Sequence, residues 1–152
     1  MSFFVDANIL IYSAVESDYR RPCLEILDAI ARGDVSGRIS MAALEEVWYV
    51  ELAGRAGNLS GLTKRGYAIF SPLLPVTDEA FQLALSLDAP TIGPNDRLHV
   101  GACIVHGIDA IVSADPEFDA VRGIRRIDPL DAQARRRLLR NAEEPDQRPP
   151  RL

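Results

Sequence analysis

Residues 3–12 read FFVDANILIY, in which one acid, Asp6, stands between two almost wholly apolar runs. The stretch SFFVD carries no helical punctuation and reads as a short buried strand, whereas ANILIYSA reads as a helix. A strand that gives way at once to a helix is the first unit of an α/β arrangement, and the rest of the chain repeats it. RRPCLEILDAIARG places Leu24, Leu27 and Ala31 at helical spacing and stops at Gly33, and GRIS, at 37–40, can form a second strand. MAALEEVWYVELAGRAG and LSGLTKRGYAIF read as helices. Leu74 to Val76 reads as a strand, and Thr77 as the cap of a helix, DEAFQLALSLD, with acids in its first turn. Beyond a loop marked by Pro90, Gly93 and Pro94, Asn95 or Asp96 can cap the helix NDRLHVGACIVHG. DAIVSA then reads as an apolar strand ended by DPEF, and GIRRI as a last strand before the helix DAQARRRLL. This alternation implies a mainly parallel sheet covered by helices on both faces, an α/β/α sandwich.

The 152 residues suit one domain, here placed at residues 1–140, followed by a charged, proline-rich tail, NAEEPDQRPPRL, at 141–152. Apolar residues make up 47% and charged residues 26%, and no apolar run approaches the roughly 18 residues that suggest a membrane span. Asp6 and Asn8 interrupt the first apolar stretch, so it does not read as a signal peptide, and a cytoplasmic protein without membrane association is expected. Cys23 and Cys103 each sit in an apolar helical pattern without metal-ligand spacing and read as reduced core thiols. A net charge of −5 argues against broad polyanion binding. Cations held in a cluster of carboxylates would nevertheless present positive charge to a phosphate.

Carboxylates are where the pattern departs from a plain core. In open α/β sheets ligands bind beyond the carboxyl ends of the strands, and Asp6 and Asp115 each stand just past an apolar strand. Either can equally be a helix cap, Asp115 with Pro116 at the first helical position. At about 100° per residue, Ala42, Ala43, Val50 and Ala53 lie within about 60° of Glu46, so this acid projects from a small-residue face. Glu45 falls at the edge of that face. Asp96 shares its side of a helix with Val100, Cys103 and Gly107, and it too can be read as a cap. Burying several carboxylates together is costly unless protons or cations neutralise them, so the inward acids point to a metal site.

FVDANILIY, SMAALEEVWYV and NDRLHVGACIVHGIDAIVSADPEFDAV together resemble the acidic motifs of PIN-domain nucleases, most closely the VapC-type toxins of toxin–antitoxin pairs. The likeness runs from the N-terminus to about Ile127. It implies a PIN-like fold whose four catalytic and metal-binding acids are Asp6, Glu46, Asp96 and Asp115, with Asn8 and Ser113 in supporting positions. The activity implied is Mg²⁺-dependent hydrolysis of RNA phosphodiesters, with Mn²⁺ as an alternative ion. Partners implied are RNA, a cognate antitoxin and a second copy of the chain. The doubled Glu45-Glu46 and the long tail depart from the family pattern. A housekeeping RNA-processing nuclease of the same family is the alternative, and a non-catalytic PIN-like binding domain is a further one.

Other readings fit less well. A phosphatase of the haloacid dehalogenase type would carry a second Asp where Asn8 stands, and the one lysine, Lys64, precedes the later acids. His99 and His106, seven apart, read as structural side chains on the flank of a helix, because this spacing does not suit a short metal-ligand pair. Trp48 falls opposite Glu46 and reads as packing or interface. Arg135, Arg136, Arg137 and Arg140 read as a solvated helix face.

Overall fold

In the computed structural model, which describes residues 1–140, four strands form one parallel sheet in the order β2-β1-β3-β4. These are β1 (Ser2–Val5), β2 (Ser36–Arg38), β3 (Ala110–Val112) and β4 (Arg125–Ile127). Seven α-helices are described: α1 (Ala7–Ser13), α2 (Arg20–Ala31), α3 (Met41–Ala53), α4 (Leu62–Phe70), α5 (Asp78–Ser86), α6 (Pro94–Val105) and α7 (Ala132–Arg140). A short 3₁₀ helix spans Pro116–Ala120. The result is a PIN-like α/β/α sandwich. The expected tail at 141–152 lies outside the described residues.

The chain builds β2 on one side of β1 and then crosses to build β3 on the other. The β1–β3 junction is therefore the switch point at which α/β sheets open a crevice. Phe4 pairs with Ile111 and Val5 with Val112, and the Asp6 N–H extends that ladder by donating to the Val112 carbonyl at 3.0 Å. Phe4, Val5, Ile111 and Val112 are completely buried, as expected of strands covered on both faces. The two segments that follow, Asp6–Asn8 and Ser113–Asp115, are thereby held side by side.

Helix α3 begins where expected: Ser40, fully buried, accepts from the Ala43 N–H at 3.1 Å as the N-cap, and Gly54 closes the helix at φ 66°. Two expectations change. The helix carrying Asp96 is capped by Gly93 rather than by Asn95 or Asp96, because Pro94 takes the first helical position, where its missing N–H and fixed φ are no penalty. Asp96 thus lies inside the first turn of α6. The stretch from Leu74 to Val76 forms a single bridge, Ser40 to Leu74, rather than a strand, since Pro75 has no N–H to extend the ladder.

Helix α6 is set against α5 by a close approach: a Cβ on Gly101 would lie 2.2 Å from the Ala80 carbonyl oxygen. The Arg97 guanidinium donates to the carbonyls of Ile92, Leu87 and Ala89 at 3.0, 2.8 and 2.7 Å, tying the loop between the two helices. These contacts fix the start of α6, and with it Asp96. Cys23 and Cys103 are buried and free, and burial pushes both thiols up to about 12, as inert core cysteines require.

Candidate metal centre

Asp6 caps α1 and is only 4% exposed. Its Oδ1 accepts from the Ala7 N–H at 2.8 Å. Its Oδ2 accepts from the Ser113 hydroxyl at 2.6 Å and from the Asn8 amide at 3.0 Å. Asn8 also donates to Ser113 Oγ at 3.2 Å and accepts from the Ala114 N–H at 3.3 Å, while the Asp115 N–H donates to Ser113 Oγ at 3.0 Å. Ser113 and Asn8 therefore bridge the ends of β1 and β3 and orient the Asp6 carboxylate. Burial pushes the Asp6 carboxyl above its ordinary range and the nearby Glu46 charge adds to this, against opposing contributions from His99 and the Ser113 hydrogen bond.

Two groups of ligand-type side chains assemble here. Asp6, Glu46 and His99 each offer an atom within 4.8 Å of the others, and so do Asp96, Asp115 and Glu117. Glu46 is partly buried and Glu45 exposed, so the small-residue face of α3 does select Glu46 as the inward acid. Asp115 caps the 3₁₀ helix through the Glu117 N–H at 3.0 Å. The capping readings of Asp6 and Asp115 therefore hold, and neither keeps its carboxylate from the crevice. The Asp96 carboxyl is pushed up to about 6, first by burial and then by the charges of Asp6, Glu46 and Asp115, with His99 opposing them. The four acids are thus one electrostatic neighbourhood, although no single set of three contains more than two of them.

The donor set tests well against a hard divalent cation. Five carboxylates from four segments could supply oxygen ligands, and burial together with the neighbouring acids raises the carboxyls of Asp6 and Asp96. Two neighbours of these acids were not anticipated. His99 was expected on the flank of its helix, but it is fully buried, with Nε2 3.2 Å from Glu46 Oε2 and 3.9 Å from Asp6 Oδ1. Three residues after Asp96, it lies only about 60° from it around the helix, the same tolerance that placed residues on the Glu46 face. Glu117 carried no signal beyond its place two residues after Asp115.

The other readings resolve differently. His106 approaches the Pro75 carbonyl at 3.3 Å, away from the acids. Trp48 is 54% exposed and lines a groove of about 720 Å³ between α3 and α4, together with Met41, Leu44 and Tyr67. Arg135 is not on a solvated face: it pairs with Glu25 at 2.8 Å and docks α7 onto α2.

The family model of the PIN domain matches residues 3–124, and the chain belongs to the PIN domain family. No curated protein matches the sequence. Among solved structures the fold is similar to VapBC2 from Rickettsia felis, bound to a DNA fragment from their promoter, with a TM-score of 0.66 at 15% identity. That likeness covers 84% of this chain and 98% of the other. It is also similar to FitAcB from Neisseria gonorrhoeae, with a TM-score of 0.62 at 14% identity over 86% of this chain and 99% of that one.

Proposed function

We propose that this PIN-domain chain is a Mg²⁺- or Mn²⁺-dependent ribonuclease and the toxin of a VapBC-type toxin–antitoxin pair. The observation that carries the nuclease reading is the convergence of Asp6, Glu46, Asp96 and Asp115 at the switch point of the sheet, where burial first, and neighbouring acids after it, raise the carboxyls of Asp6 and Asp96. Asp6 and Asp96 would hold the cation directly, and Glu46 and Asp115 would complete the site directly or through water. When bound, the cation supplies an activated water and offsets charge on the phosphoryl group and leaving oxygen. Ser113 and Asn8 hold Asp6 in place, and the RNA backbone would lie across the cluster of acids. Residues 1–140 form the nuclease unit in this reading, and the protein acts in the cytoplasm. Among the described residues no helix is long and apolar enough to cross a membrane.

The toxin assignment rests on the motif resemblance and on the apolar groove between α3 and α4, in which Trp48 and Tyr67 are more than half exposed. An antitoxin segment seated in this groove and continuing around α3, with a basic side chain reaching the acids, would replace the cation's charge and inhibit cleavage. A homodimer would allow two toxins to hold a paired antitoxin. The test is to purify the chain with and without co-expression of the adjacent small reading frame. Single-stranded RNA cleavage is then assayed in Mg²⁺ and in EDTA. Cleavage in Mg²⁺ by the chain alone, silenced by the partner, supports both parts. Cleavage by a monomer that is harmless in cells and binds no neighbour favours the housekeeping nuclease.

A further inference from the structure

His99 has no part in the scheme above, yet it is among the most constrained side chains in the crevice. It is wholly buried, and its ring lies against Phe4 of β1, centroids 5.4 Å apart. Its Nε2 faces Glu46 Oε2 at 3.2 Å and Asp6 Oδ1 at 3.9 Å, while its Nδ1 is buried without a hydrogen-bond partner among the described residues. These contacts bear on where the ring carries its proton. A proton on Nδ1 would be a buried donor with no acceptor, and an unprotonated Nε2 would aim its lone pair at two carboxylate oxygens. A proton on Nε2, donated to Glu46, is the arrangement these distances suit.

Glu46 needs that contact. It projects from the middle of α3, where every backbone N–H is committed to the helix. The bond from His99 is the only hydrogen bond its carboxylate makes among the described residues. Its side chain is 36% exposed, and without a tether its rotamers would be free to swing toward water. We propose that His99 is a positioning residue: as the Nε2–H tautomer it fixes the Glu46 carboxylate beside Asp6, so that the second acid is presented to the divalent cation. This rests on the nuclease reading for the identity of the site, but not for the hydrogen bond itself.

The test separates the two. Long-range ¹H–¹⁵N spectra of the imidazoles in the metal-free protein report the tautomer, and a proton found on Nδ1 overturns the proposal. Calorimetric titration with Mn²⁺ then compares wild type, His99→Leu and His99→Gln, with circular dichroism and melting to verify folding. His99→Leu is expected to weaken Mn²⁺ binding roughly 10- to 100-fold, the range common for partners that orient metal ligands. His99→Gln keeps an N–H at similar reach and should recover most of that loss. In the His99→Leu background, Glu46→Gln should add little further loss, because Glu46 is already untethered. A folded His99→Leu variant that binds Mn²⁺ within twofold of wild type sinks the proposal. So does a His99→Gln variant no better than His99→Leu, which would mark a role in packing alone. Should His99→Leu fail to fold, the comparison of wild type with His99→Gln, and Glu46→Gln in each, still decides. A wild-type chain that binds Mn²⁺ normally but cuts no RNA defeats the nuclease reading and leaves the positioning role standing. A wild type that binds no Mn²⁺ overturns both.

Discussion

Asp96→Asn should make the metal-free protein more stable while removing its response to metal. In the fold this carboxyl is held at about 6 against an ordinary 3.8, raised first by burial and then by Asp6, Glu46 and Asp115. At roughly 1.4 kcal/mol per tenfold change, the ionised group opposes folding at pH 7 by at most about 3 kcal/mol. Partial solvent screening reduces that, and the first turn of α6 returns about 0.5 kcal/mol to a negative charge. The neutral amide is therefore expected to gain about 1–2 kcal/mol, a rise in melting midpoint of about 3–6 °C for a chain of this size. The pH dependence has a defined sign. Between about 6 and 3.8 the folded chain holds a proton that the unfolded chain has released, so wild-type stability in EDTA should rise as pH falls from 7 toward 4.5. Asp6, also raised, would leave a residual slope in the variant. Adding Mn²⁺ at pH 7 should raise the wild-type midpoint and leave that of Asp96→Asn nearly unmoved, because ligand binding stabilises only where the site is intact. Thermal melts at pH 7 and pH 5, each in EDTA and in Mn²⁺, provide the four readings. A variant that melts below wild type in EDTA at pH 7 refutes the account, as would a wild-type midpoint that does not change with pH.

Asp6→Asn should abolish metal-dependent RNA cleavage while the protein still folds, since the amide oxygen can go on accepting from the Ala7 N–H; full cleavage by the folded variant would remove Asp6 from the site. Glu46→Gln should impair cleavage far more than Glu45→Gln, the exposed neighbour, and the reverse order would move the second acid. Gly101→Ala should lower stability by about 1–3 kcal/mol in chemical denaturation, because the new methyl would meet the Ala80 carbonyl and push α6 from α5; an unchanged midpoint would mean that the two helices separate freely.

The order of elements and the parallel sheet were legible because strand and helix periodicities alternate cleanly and turn residues separate them. Phe3–Val5 and Ala110–Val112 announce buried strands through continuous apolar runs, and Asp6 and Asp115 follow as the first acids. Glu46 was separable from Glu45 because helical phase is a strong constraint over a thirteen-residue helix. What escaped depends on contacts distant in sequence. His99 is defined by meeting Glu46, fifty-three residues away, and a lone histidine on a helix carries no mark of that meeting. The start of α6 was missed by two or three residues because Asn95 and Asp96 have cap chemistry, while Pro94 opens the helix from the position before them. Leu74 looked like a strand by composition, but a strand also needs donors on either side.

The anchoring of the four acids differs in a way that explains the histidine. Asp6 accepts a backbone N–H at the start of α1, Asp115 accepts one at the start of the 3₁₀ helix, and Asp96 sits in the first turn of α6. Helix N-termini have unsatisfied donors and a positive partial charge, so these three carboxylates have local compensation before any cation arrives. Their capping roles are thus the means by which negative charge is tolerated in a half-buried crevice, rather than an alternative to function. Glu46 is the exception. It stands six residues after its N-cap, Ser40, in a helix interior that offers no free N–H, and only a side chain from another element can tether it. His99 reaches it from α6, the helix that also carries Asp96, so movement of α6 would shift one acid directly and release another. The Arg97 clamp and the Gly101 contact hold that same helix in place, which gives both a role in the geometry of the site although neither contacts an acid.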